Sequence, residues 1–338
     1  MTRLTTALLT LVLALAAAGC GEKSEPSVTS GPSGKGEPFT VMLDYLPNAD
    51  HAGIYAAQAN GDFARAGLDV ELITPSDPSA PLRQLQAGRV DLAITYEPEL
   101  LLARDKGTNL VGVSSLISRP LTSVMAVKGS GVKTIQDLKG KTIGTAGIPY
   151  QDAYLDTILK RANLAKDDVK RVNVGFNLVP AMVSKKVDAT LGAFWNVEGV
   201  ELQRRRPGFK VFKVGDYGAP SYPELVLVVR RSQLEDDPGL VKGLIRTLQR
   251  GYLEAEADPE SAVQAMTSQE EGLDQASLTA QMDAVQPAFS AGSGTYGLLA
   301  RSRLEAWAAW DVRFGILKRK PDLDRLFDTT LVEPMSRD

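Results

Sequence analysis

The chain has 338 residues, with 38 Lys or Arg against 41 Asp or Glu, one histidine and a formal net charge of -3. That balance offers no basic footprint for nucleic acid, and a single cysteine excludes a disulfide framework within the chain. Only one apolar run, at the extreme N-terminus, comes near the length of a membrane segment.

Met1-Thr2-Arg3 is a short positive segment, and residues 4–18 follow without a charge. The run falls short of the roughly 20 residues a spanning helix needs, and reads instead as an export signal. Ala17-Ala18-Gly19-Cys20 then has the form of a lipobox, so residues 1–20 are read as a lipoprotein signal peptide with Cys20 as the acylated residue. Residues 21–37 hold Ser, Gly, Pro and charge, with Val28 as the only large apolar side chain. Such a segment cannot bury enough surface to order itself and reads as a disordered tether. The protein is therefore expected outside the cytoplasm, lipid-anchored on the outer face of the cytoplasmic membrane or in the periplasm.

The body, of about 300 residues, has room for two domains. It opens with an apolar strand that runs into Asp44, Tyr45, Pro47, Asn48, Asp50 and His51, and then into a small-residue helix over 53–59. Polar groups at the carboxyl end of a strand, facing a helix start, are where open α/β sheets bind ligands. Strand-like runs fall at 39–43, 68–73, 91–95, 110–115, 123–127, 142–144, 169–174, 189–192, 210–213 and 225–229. Helical patterns lie between them at 81–87, 98–106, 134–139, 150–162 and 179–185. This alternation predicts an α/β fold with parallel-rich sheets. From Asp237 onward the pattern is helical, at 238–257, 259–267, 274–285 and 301–314, with Pro238 and Pro259 in first-turn positions.

One segment is echoed. Residues 82–94, a helix, a turn, Val90-Asp91 and a short strand, match residues 179–191, where Val187-Asp188 holds the same place. The first strand exits into Tyr96-Glu97, the second into Phe194-Trp195-Asn196-Val197-Glu198, so both exits carry aromatics and an acid. Two facing half-sites, one per lobe, are expected around a cleft. Asp91 and Asp188 are read as local caps, since Asp readily accepts nearby backbone N–H groups. Tyr55 and Phe63 are read as core. His51 suits either a ligand contact or a helix cap.

The pattern Leu43-Asp44-Tyr45-x-Pro47-Asn48-x-x-His51-x-Gly53-x-Tyr55 resembles the thiamine-pyrimidine-synthase-like branch of periplasmic binding proteins. So do Gly61-x-Phe63, Gly67-Leu68-x-Val70, Gly88-x-Val90-Asp91, 127–131 and Asp137-Leu138-Lys139-Gly140-Lys141-Thr142-Ile143-Gly144. The resemblance covers about residues 39–235 and implies a two-lobed, type II-like binding protein fold with a ligand cleft between the lobes and a helical C-terminal tail. It also implies a monomeric capture component of an ABC importer, whose partners are a small-molecule ligand, a permease and the membrane through its anchor. Lobe one is expected at 38–119 plus 222–338 and lobe two at 120–221, with crossings near Arg119-Pro120 and 220–224. Relatives that bind sulfonate, nitrate or another nutrient keep those ligands open. One branch of the family is enzymatic, using an active-site histidine, a lysine-bound pyridoxal phosphate, iron and a cysteine-rich cluster. This chain has no lysine over 44–64 and no cysteine over 215–224, so a binding protein rather than an enzyme is expected, with no cofactor and no metal.

The ligand-binding candidates are Asp44, Tyr45, Asn48, His51, Tyr96, Glu97, Tyr150, Phe194, Trp195, Asn196, Glu198, Tyr222 and Glu224. Aromatic walls suit a flat heterocycle, and acids with Asn suit amino or ring N–H donors. Neither the Asp44 turn nor 194–198 contains Arg or Lys, which a doubly charged anion would favour. A helix start within 145–152 leaves a phosphate monoester open. The expected ligand is a neutral or cationic aminopyrimidine, and Trp195 is the residue expected to stack on it.

Overall fold

Short apolar strands that are buried on both faces need helices on both sides, and the sequence supplies them in alternation. The computed structural model describes residues 36–217, 219–290 and 292–335. The signal peptide, Cys20 and nearly all of the tether lie outside the described residues, although Glu37 already belongs to a strand.

The strands are β1 (Glu37–Met42), β2 (Leu68–Ile73), β3 (Leu92–Tyr96), β4 (Leu110–Ile117), β5 (Thr122–Ala126), β6 (Thr142–Thr145), β7 (Lys170–Asn173), β8 (Ala189–Phe194), β9 (Lys210–Lys213) and β10 (Leu225–Arg230). The helices of the strand-rich part are α1 (Ala52–Ala59), α2 (Asp62–Arg65), α3 (Ala80–Gln86), α4 (Glu97–Asp105), α5 (Pro149–Arg161), α6 (Leu178–Val183) and α7 (Glu198–Arg205). The tail adds α8 (Arg231–Asp236), α9 (Pro238–Ala257), α10 (Pro259–Gln269), α11 (Gln275–Phe289), α12 (Arg301–Phe314) and α13 (Leu323–Leu326). The 134–139 segment forms only a 3-10 turn, Ile135–Leu138, because its Thr134 and Asp137 satisfy each other's backbone groups within one turn.

Two five-stranded sheets result, in the orders β2-β1-β3-β10-β4 and β7-β6-β8-β5-β9. The echoed segments occupy corresponding places. β1 runs parallel to β2 and β3, as β6 does to β7 and β8. β10 is antiparallel to β3 and β4, as β5 is to β8 and β9. The two Val-Asp pairs also act alike. Asp91 accepts the Thr40 N–H at 2.9 Å, and Asp188 accepts the Thr142 N–H at 2.8 Å, each pinning the neighbouring parallel strand. The chain crosses from the first sheet to the second between β4 and β5, and returns between β9 and β10.

The tail helices start where acids precede them: Asp237, Asp258 and Asp274 accept the N–H groups of Leu240, Ser261 and Ser277. α9 lies on α1 with Gly251 against Gly53, and an added Cβ at Gly251 would stand 2.1 Å from the Gly53 carbonyl oxygen. This close crossing fixes α1, and with it the polar turn that α1 continues. Gly251→Ala is expected to destabilise the protein by about 1–3 kcal/mol through overpacking. Urea unfolding of the two proteins measures it, and equal midpoints would show that the crossing relaxes freely.

Candidate functional site

The turn after β1 is built around one carboxylate. Asp44 Oδ1 lies 2.9 Å from His51 Nε2, and Asp44 Oδ2 accepts from the Tyr96 hydroxyl at 3.1 Å. His51 Nδ1 accepts the Asn48 N–H at 3.3 Å, which places the ring proton on Nε2, donating to Asp44. Asn48 in turn accepts the Asp50 N–H through its Oδ1. All of Asp44, Asp50 and His51 are fully buried. The histidine therefore braces the turn instead of presenting a free ring edge.

Next to this turn, side chains from both sheets meet in one crevice. Tyr45, Asn48 and Tyr96 come from the first sheet's side, and Phe194 and Glu198 from the second's. Tyr45 reaches furthest, donating its hydroxyl to the Phe176 carbonyl at 3.2 Å with its ring edge-on to Phe176. Tyr96 and Phe194 meet edge to face at 6.2 Å. Glu198, at the start of α7, accepts the Phe194 N–H at 2.7 Å. Burial pushes its carboxyl up to about 7, against that bond and with help from Glu201 and Asp44. No positively charged side chain lines the crevice among the described residues, and its volume is ≈ 10 Å³. That is room for about one water.

The sequence reading missed Ala146, Ile148, Gln151, Gly192 and Val197, which complete the lining. Gln151 Oε1 accepts the Ala146 N–H at 2.9 Å, and an added Cβ at Gly192, where φ is +98°, would fall 2.1 Å from Gln151 Nε2. Only glycine lets the strand pass that close to the amide. The loop at 145–152 carried a signal, its helix start; Gly192, mid-strand, carried only the general hint that such a glycine marks a close approach.

Several candidates are elsewhere. Trp195 follows Phe194 on the strand end and so points away from the crevice. Its N–H goes to the Pro120 carbonyl at 3.1 Å, and the Lys213 ammonium sits 4.5 Å over its ring. It lines a separate recess of ≈ 400 Å³ beside the two crossings. Glu224 accepts the N–H groups of Leu121 and Thr122, the Thr122 hydroxyl and the Tyr222 hydroxyl. Tyr222 stacks on Trp307 at 3.9 Å. Both residues fasten the crossings. Glu97 turns into the interior, where burial, then Asp311 and Glu224, hold its carboxyl well above the ordinary range. Tyr150 stands one layer behind the crevice, 5.6 Å from Tyr96 and 6.1 Å from Tyr154. Asn196 is spent on Asp50, donating to its Oδ1 at 2.7 Å. Among the described residues, no group of three His, Cys, Asp or Glu is placed to hold a metal ion.

Known proteins share both sequence and fold with this chain. The family described as NMT1/THI5 like matches residues 48–262. A putative thiamine biosynthesis protein of Haemophilus influenzae is 38% identical over 237 residues, 70% of this chain and 75% of that protein. A formylaminopyrimidine-binding protein of Halalkalibacterium halodurans is 34% identical, covering 70% of this chain and 72% of its own. A 4-amino-5-hydroxymethyl-2-methylpyrimidine phosphate synthase of Saccharomyces cerevisiae is 27% identical over 66% of this chain and 68% of its own. Among solved structures, the periplasmic aliphatic sulphonate binding protein of Escherichia coli superposes with a TM-score of 0.66 at 17% identity, over 89% of this chain and 96% of its own. That likeness establishes the periplasmic binding protein fold.

Glu198 has a pH signature. Its carboxyl titrates near 7 in the folded chain against an ordinary value of 4.5. A raised value means full stability below about pH 4.5 that is lost as pH rises through 7, up to about 3 kcal/mol. Glu198→Gln keeps an acceptor for the Phe194 N–H and is expected to remove that loss. Chemical unfolding of both proteins across this range reads the difference, and parallel pH curves would remove Glu198 as the titrating group.

Proposed function

This chain belongs to the NMT1/THI5-like family, and we propose that it is the extracytoplasmic solute-binding component of an ABC importer, capturing a planar aminopyrimidine between two closing lobes. The observation that carries this reading is the crevice itself. Tyr45, Tyr96 and Phe194 give it aromatic walls, Glu198 gives it an acceptor, and no cation lines it. Such walls stack on a flat ring, and a buried carboxyl pairs with amino and ring N–H donors. The name of the Halalkalibacterium halodurans relative points to the same ligand chemistry.

Each sheet with its helices forms one lobe in this reading, 38–119 with 222–338 and 120–221. A ring of pyrimidine size does not enter ≈ 10 Å³, so the lobes open about the crossings, admit the ligand and close on it as rigid bodies. The closed shape is what a permease recognises. Acylation at Cys20 would hold the protein at the membrane, with residues 21–37 as the tether. A binding protein is favoured over a synthase because the active-site turn has no lysine over 44–64 and its histidine is committed on both ring nitrogens.

Thermal unfolding of residues 37–338 tests the ligand, with hydroxymethyl and formylaminomethyl aminopyrimidines, thiamine and small sulfonates as the panel. A ligand at 100 times its dissociation constant adds about 2.7 kcal/mol, so an aminopyrimidine is expected to raise the melting temperature where sulfonates do not. A shift with sulfonates alone would reject the pyrimidine. Within the site, Phe194→Ala is expected to weaken binding about 10-fold or more by calorimetry, from lost stacking and burial. Trp195→Ala is expected to change it less than about 3-fold, since the ring faces the other recess. The reverse order would place the ligand beside Trp195.

A further inference from the structure

Asp50 sits on the 3-10 turn that leads into α1, and Asn196 lies just beyond β8. They belong to different sheets' sides and are both fully buried. One hydrogen bond joins them, from Asn196 Nδ2 to Asp50 Oδ1 at 2.7 Å. Each has one polar atom left over: among the described residues, Asp50 Oδ2 and Asn196 Oδ1 have no hydrogen-bond partner. With Asp50 ionised, both are bare acceptors in a dry interior, a destabilising arrangement. A single proton on Asp50 Oδ2 changes this. It makes that oxygen a donor, and an acid facing a primary amide has the groups for a two-bond pair in which both leftover atoms are satisfied together.

We propose that Asp50 is protonated against Asn196, forming an acid–amide latch between the two halves whose closure takes up a proton. The latch is a positioning device: Asp50 acts on the closed conformation and is not among the residues that line the crevice. The groups around it agree. Burial is the largest influence raising its pKa, followed by Asp44 on the same turn, and Glu198 at α7 and Glu224 at the second crossing act in the same sense. Only the Asn196 bond opposes them. His51, from the same turn, is committed to Asp44 and the Asn48 N–H. Tyr252, from α9, gives its hydroxyl to the Asp50 backbone carbonyl and leaves the carboxyl alone.

The direction follows from linkage. When the halves part, Asn196 is withdrawn, water reaches Asp50, and its pKa falls back toward the ordinary carboxyl range. The closed form therefore binds one proton more than the open form. Closure is fully supported at low pH and weakens as pH rises through the closed-form value, by at most about tenfold per pH unit for one proton. For ligand capture the inference rests on the closing-lobe reading above.

Asp50→Asn separates the possibilities, because two facing amides make the same two bonds with no proton to gain. Two measurements on the tetherless chain decide it. Ligand-free unfolding across about pH 5–8 is expected to show wild type losing stability relative to D50N as pH rises. Calorimetric titration with hydroxymethyl aminopyrimidine, in buffers of different ionisation heat, is expected to show wild type taking up as much as one more proton than D50N, and D50N binding more tightly than wild type at the alkaline end. Parallel unfolding curves, or equal proton uptake by two proteins that both bind, would overturn the latch. Diverging unfolding curves with no pyrimidine binding at all would uphold the latch while rejecting the proposed ligand.

Discussion

One buried carboxylate joins the two halves of this molecule. Glu224 gathers the Leu121 and Thr122 N–H groups and the Thr122 hydroxyl from the first crossing, and the Tyr222 hydroxyl from the second. Without it, two strands that must change sheets would leave backbone donors unpaired where no ladder reaches them. With it, the crossings become a single fastened hinge. Burial still raises the Glu224 pKa in spite of all four bonds, which shows how dry the region is. The same dryness makes the nearby aromatic column feasible: Tyr222 and Trp310 each stack on Trp307, and Tyr154 packs its edge on both tryptophans. Through that column α12 leans on α5 of the second half, while the chain on either side of it bonds to β4 of the first, through Gly297 and Asp328.

The interior around this hinge is acidic. Asp44, Asp50, Glu97, Glu198, Glu224 and Asp311 are all buried within it, yet each is handled differently. Asp44 has two donors, Glu224 four, and Asp50 one. Asp311 has none among the described residues, and burial pushes it up to about 8. Buried carboxyls without cations are kept by hydrogen bonds or by protons. Carboxyl groups, ionised or neutral, accept N–H donors and offer a phosphate or sulfonate no cation.

The fold was largely legible because its signals are periodic and local. The strands and helices fall close to where apolar runs and first-turn prolines placed them, and the echoed Val-Asp segments proved to be corresponding parts of two sheets. Asp91 and Asp188 are not the local caps expected of them: each bonds the backbone of a neighbouring strand, at Thr40 and Thr142. The site was legible only in part. Tyr96 and Phe194 end their strands on the crevice, but Trp195, one residue on, takes the opposite face, as the alternation of a strand requires. Its aromatic character drew attention without saying where it pointed. Asp50 was passed over because nothing in PNADHAG distinguishes it from a surface turn acid; its meaning appears only when Asn196, 146 residues away, is folded onto it. Glu97 and Tyr222 lie off the crevice for the converse reason, since their neighbours Asp311 and Trp307 belong to a helix far along the chain.

In the proposed binding role, the tight crevice and the fastened crossings together constrain how a ligand can matter. Contacts between the halves already exist without it: Tyr45 on Phe176, Asn196 on Asp50, and the exposed Arg204–Asp274 pair between α7 and the turn before α11. The last is exposed and contributes little. The first two lie on the crevice or beside it, where ligand entry must disturb the tyrosine and closure must restore the latch. A ligand shifts the open–closed balance only through what it binds more strongly in one form than the other. Here that difference has to arise from replacing the edge contacts of Tyr45, Tyr96 and Phe194 with stacking on a flat ring, since the hinge and the latch are the same whichever molecule is enclosed. In the proposed binding role, the aromatic rings therefore set which ligand is held, and the buried acids around them set how readily the halves close.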